Sequence, residues 1–169
     1  MKRRILFFVL TAILGWSFQL VFLYWAPPAL PTPHWLLLVV LALGARGRVH
    51  LAMGLGFLWG LALDAHGITA FGVQGWLLAL AGYASGTLSK NLNANELVTQ
   101  ESLAVGGTLL LWAGVWGLSR FFQPALVGHP GVGLALGQVV LNALTAPAVF
   151  WATEVWIGHS VPRSETPHA

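Results

Sequence analysis

Cysteine is absent from the 169-residue chain, which excludes disulfides, thiol nucleophiles and thiolate metal sites. Charge is scarce as well. Only 8% of the residues are Asp, Glu, Lys or Arg, against about 25% in a soluble domain. So little charge cannot solvate a water-facing surface, and no segment has the composition of a soluble domain. Reactive sets are missing too. Asp64 is the single aspartate, whereas an intramembrane aspartyl protease needs a pair. Neither a G-x-S-x-G serine motif nor a G-x-x-x-x-G-K-[ST] phosphate loop occurs. The histidines, His34, His50, His66, His129, His159 and His168, contain no H-x-x-x-H pair, which argues against a metal site. The expectation is a protein that is not an enzyme, with no catalytic residue, cofactor or metal.

What the chain does have is apolar length. Hydrophobic residues make up 57% of it, with 9 Trp and 20 Gly and a mean hydropathy of +0.75. A membrane helix needs about 20 apolar residues. Residues 5–26 meet that length behind a basic start, Lys2, Arg3 and Arg4. This run exceeds a signal-peptide core and lacks an A-x-A cleavage site, so it reads as a retained helix. Further spans are expected at 35–45, 49–65, 73–88, 103–122 and 132–157, with a polar tail at 158–169. The whole of 1–169 reads as one six-helix membrane domain. Its second span is too short to face lipid along a full crossing, so neighbouring helices must shield it.

Charge placement orients the six spans. With a cytoplasmic N-terminus, Lys2, Arg3, Arg4, Arg46, Arg48, Lys90 and Arg163 fall inside and only Arg120 outside. That satisfies the positive-inside rule, and deleting the short second span would break it. Both ends are then cytoplasmic. The basic residues lie in short clusters between apolar runs rather than in one stripe, so the pI near 10.0 does not point to nucleic acid.

A few residues carry the candidate contacts. Ala52, Gly56, Gly60 and Asp64 recur every four residues on one helix face, and Gly82 and Gly86 repeat the spacing in the next span. Small residues at this spacing let helices approach closely, within the chain or with a partner. Asp64 sits at the outer end of its span. It either accepts backbone N–H groups of the turn His66–Thr69 or forms an outer ion pair with Arg120. Gln138, Asn142 and Thr145 form a polar stripe in the last span, suited to hydrogen bonds between helices or to a partner. Glu154 lies near the basic cytoplasmic side, where it is neutralised.

The stretch 54–90 reads GLGFLWGLALDAHGITAFGVQGWLLALAGYASGTLSK. It resembles the core signature of the MreD family of rod shape-determining membrane proteins. That family shows a glycine-rich helix ending in G-L-x-x-D and a short turn with a glycine. A bulky apolar residue plus glycine comes next, then a helix ending in G-Y-x-x-G and a basic residue. The matching residues are Gly60, Leu61, Asp64, Gly67, Phe71, Gly72, Gly82, Tyr83, Gly86 and Lys90. Two departures stand out: Phe71 replaces the usual Leu, and His34 follows Pro33 where the family often has a Pro-Asp pair.

The resemblance implies a non-enzymatic scaffold of the cell-wall elongation machinery in the bacterial cytoplasmic membrane. It implies association with MreC and, directly or through it, with RodA and the elongation-specific penicillin-binding transpeptidase. MreB filaments would follow indirectly, and membrane lipids would surround the helices. It also implies an all-α fold resembling the substrate-binding component of energy-coupling-factor vitamin transporters. That component is itself the competing reading, since size and topology coincide. Its A-x-x-x-A docking stripe is absent from the first span here, which offers only Ala12 and Gly15 beside Trp16.

Overall fold

The computed structural model describes residues 2–25, 27, 30–65, 70–90, 92–122 and 132–160, and all its regular structure is helical. There are six helices: α1 (Lys2–Trp25), α2 (Trp35–Ala45), α3 (Val49–Asp64), α4 (Val73–Leu88), α5 (Leu97–Phe122) and α6 (Val132–Ser160).

Their limits follow from local chemistry. Pro31 and Pro33 remove backbone donors and hold the chain extended ahead of α2. The His34 ring nitrogen Nδ1 then accepts the Leu37 N–H at 3.3 Å and caps that helix. The other end of α2 closes on Gly47, whose φ of +76° suits glycine. There Gly47 N–H reaches Gly44 O at 2.9 Å and Arg48 N–H reaches Leu43 O at 3.1 Å, a Schellman pairing. Gly72, at φ +94°, is the corresponding left-handed residue before α4.

The fifth helix differs from expectation. It begins at Leu97, six residues before the apolar run, because polar Thr99, Gln100 and Glu101 continue the helix. Hydropathy marks where a helix meets an apolar medium, whereas Gln and Glu are themselves good helix formers. Gln100 Nε2 also donates to Ala94 O at 2.9 Å, fastening that start. The sixth helix likewise runs beyond 157 to Ser160 and accommodates Pro147 inside it.

The core forms around α2, which packs against all five other helices. Its residues Leu36, Leu37, Leu38, Val40, Ala42 and Leu43 are completely buried. Eleven residues span roughly 16 Å, half of a hydrocarbon layer about 30 Å thick. The extended segment before Trp35 leads into α2, and α6 bonds to that segment's backbone. Gln138 Nε2 donates to Thr32 O at 3.1 Å, and His34 N–H donates to Asn142 Oδ1 at 2.7 Å.

Large apolar side chains cover the exterior, among them Leu14, Val21, Trp76, Leu109, Leu144 and Trp151. Both α5 and α6 are long and apolar enough to cross a membrane. An outside built of Leu, Val and Trp suits hydrocarbon rather than water.

Candidate functional site

The third and fourth helices form an antiparallel hairpin whose backbones touch. A Cβ placed on Gly60 would fall on Gly75 Cα and N, and one on Gly56 would come within 2.8 Å of Leu78 O. On the facing helix, a Cβ on Gly82 would lie 3.1 Å from the Ala52 backbone, and one on Gly86 would strike the Val49 side chain. The order 60 with 75, 56 with 78, 52 with 82 and 49 with 86 is a continuous register along both helices. The small-residue stripes are thus occupied inside the chain. A Cβ on Gly82 would also come within 3.0 Å of Val40 of α2, and Gly44 of α2 lies against Ser85 and Gly86. Ser85 Oγ donates to Leu41 O at 2.6 Å, so three helices meet on one glycine-rich seam.

Asp64 closes the turn end of the hairpin. It is 3% exposed. Its Oδ2 accepts the N–H groups of Gly72 and Gln74, each at 3.0 Å, and of Gly75 at 3.3 Å. Its Oδ1 accepts Gln74 N–H at 3.2 Å. These are donors of the first turn of α4, which has no intrahelical partner for them. Gly72 at the N-cap position has no side chain, so Asp64 supplies the cap from the preceding helix. Its negative charge also faces the positive end of the α4 dipole. The Gly67 and His66–Thr69 expectations lie outside the described residues.

The proposed ion pair of Asp64 with Arg120 does not form. The Arg120 guanidinium instead lies over the Trp116 ring, 5.4 Å from its centroid, one helical turn away on α5. A local cation–π contact needs no ordering of a second element, which favours it at an exposed helix end.

Phe71 and Tyr83 behave differently from the glycines around them. They are 74% and 52% exposed, so these two motif side chains are left outside the hairpin packing.

The polar stripe of α6 divides its work. Gln138 Oε1 accepts Trp112 Nε1–H at 2.7 Å, in addition to the Thr32 bond. Asn142, fully buried, donates Nδ2–H to Thr108 Oγ1 at 2.8 Å. Thr145 turns back on its own helix and donates to Leu141 O at 2.7 Å. Gln138 and Asn142 therefore bridge α5, α6 and the segment entering α2, while Thr145 does not bridge.

Several fastening residues carry no motif and escape a reading of sequence. Trp59 Nε1–H donates to Ala12 O at 3.0 Å, and Trp156 Nε1–H donates to Thr11 Oγ1 at 2.9 Å, anchoring α1 from two sides. Arg46 Nη2–H reaches Phe150 O at 3.0 Å and Glu154 Oε2 at 3.1 Å. That pair joins the end of α2 to α6 and neutralises Glu154.

Asp64 is thus committed to capping a helix, and no group of three metal-binding side chains occurs among the described residues. What the arrangement does chemically is rigidify a hairpin and present its outer surface. No curated protein and no solved structure matches the chain. The family model of the rod shape-determining protein MreD matches residues 1–153, from the first helix through most of the last. With that match spanning the α3–α4 hairpin and nearly all of the chain, the chain belongs to the MreD family of rod shape-determining proteins.

Proposed function

We propose that this protein is a non-enzymatic, six-span scaffold of the cell-wall elongation machinery in the bacterial cytoplasmic membrane, with both ends in the cytoplasm. It binds MreC and helps position or regulate the peptidoglycan synthase formed by RodA and its transpeptidase. MreB filaments couple to it indirectly. The observation that carries this reading is the family match across residues 1–153. The apolar exterior and the basic residues at alternate helix ends support the membrane orientation.

Partner contact falls on the outer surface of the α3–α4 hairpin. The glycines and Asp64 there are used up in internal packing, whereas Phe71 and Tyr83 project outward. Exposed aromatic side chains on a rigid support supply contact area at small entropic cost.

Co-purification of the full chain with MreC tests the proposal. The wild type is expected to retain MreC, and Phe71→Ala combined with Tyr83→Ala to retain much less while still folding. A tightly held vitamin in place of MreC identifies a transporter component and overturns the scaffold reading.

A further inference from the structure

We infer that the C-terminal half of α1 is a hinged arm with two seatings on α2, one tightly packed and one held by a hydrogen bond. The inference rests neither on the scaffold reading nor on the membrane orientation.

The pivot is the middle of α1. Trp59 Nε1–H donates to Ala12 O and Trp156 Nε1–H to Thr11 Oγ1, so α3 and α6 grip adjacent residues. Gly15, one turn on, lies against the Trp59 ring, where an added Cβ would come within 2.7 Å. Beyond it the grip ends. Among the described residues, none from Ser17 to Trp25 hydrogen-bonds to another helix, and Phe18, Val21, Tyr24 and Trp25 are exposed. What seats this half is ring contact with Trp35 at the start of α2. Phe18 meets it edge-on with centroids 4.9 Å apart, and Phe22 at 5.1 Å.

That seat contains a mismatch. Gln19 is 7% exposed, and its Oε1 is buried without a hydrogen-bond partner. Trp35 Nε1 is likewise buried and unpartnered. Contacts place both side chains at one joint. Gly15, Phe18 and Phe22 bracket Gln19 on one face of α1. A Cβ on Gly15 would lie 3.4 Å from Leu36, and the two Phe rings touch Trp35. An amide oxygen accepts and an indole N–H donates, so each is the partner the other lacks. The packed seat leaves them unbonded, which costs two desolvated polar groups in an apolar medium. A small swing about residues 11–15 loosens Phe18 and Phe22 and gives both side chains room to turn. Trp35 Nε1–H then donates to Gln19 Oε1. The hydrogen bond gained and the ring packing lost are of the same order, so both seatings are populated.

Electron–electron resonance distances between nitroxide pairs on the full chain in detergent test the arm. The chain has no cysteine, so labels attach only where cysteines are introduced. Val21→Cys with Leu144→Cys joins the arm to α6 at two exposed positions, and Ile13→Cys with Leu144→Cys is the control beside the pivot. A broad, two-component distribution is expected for the Val21 pair and a single narrow one for the Ile13 pair. Gln19→Leu and Trp35→Phe each abolish the bonded seating and are expected to leave the Val21 pair single and narrow. Gln19→Leu, which replaces an unsatisfied amide by an apolar group of similar size, is expected to unfold at a temperature no lower than wild type. A narrow Val21 distribution in the otherwise unaltered chain, or a broad one that survives both substitutions, overturns the inference. An unfolding midpoint lowered by several degrees in Gln19→Leu shows the amide already bonded in a fixed seat and overturns it as well. Neither readout involves MreC, so failure here is distinct from failure of the scaffold reading.

Discussion

Gly60 of α3 and Gly75 of α4 meet backbone against backbone, with no room between them for a single methyl group. The Gly75 N–H also donates to Asp64, four residues beyond Gly60. Close approach and capping are therefore one structural device.

Gly60→Ala tests the close approach. The added Cβ must push apart two backbones rather than displace a flexible side chain, which costs about 1–3 kcal/mol or more. Gly54, on the same helix, has open space around its Cβ position, so Gly54→Ala is expected to be neutral or slightly stabilising. Thermal unfolding of both variants in detergent checks the contrast, and equal midpoints contradict it.

Asp64→Ala removes the cap. Three N–H groups of a buried helix end then lose a charged acceptor, a loss of about 1.5–3 kcal/mol. Asp64→Asn keeps one acceptor oxygen but turns an amide toward the same donors, so an intermediate stability is expected. The order wild type, Asn, Ala in refolding yield from mild denaturant is the check.

The α6 stripe gives an internal comparison. Asn142→Leu strands the His34 N–H at a buried junction, while the Thr108 hydroxyl keeps its bond to Ala104 O, and is expected to destabilise by about 1–3 kcal/mol. Thr145→Ala removes only bonds to its own helix and is expected to change stability by less than about 1 kcal/mol. If unfolding midpoints show Thr145 to be the costlier position, the assignment of Asn142 as the bridge fails.

Much of this architecture is legible in the sequence, for identifiable reasons. Prolines at 31 and 33, the left-handed Gly47 and Gly72, and short charged clusters punctuate the helices strongly. The short α2 reads as a shielded element because 11 residues cannot cross a bilayer alone, and it is the buried centre of the fold. The start of α5 is hidden, since polar residues carry a helix onward without any hydropathy signal. Asp64 stands out as the lone aspartate, yet its choice of the α4 amides over Arg120 depends on how closely the glycines bring α3 to α4. Trp59 and Trp156 carry no signal for a different reason. Nothing local distinguishes an anchoring indole from the other tryptophans among the 9 in the chain.

Membership of the MreD family ties this chain to rod shape determination. The most direct measurement is the cell length-to-width ratio in a rod-shaped host after clean deletion of this chain, with complementation in trans. Rounding of the cells is expected, with rods restored by the wild type and not by Gly60→Leu, which cannot form the hairpin. Retention of normal rods in the deletion strain contradicts the account.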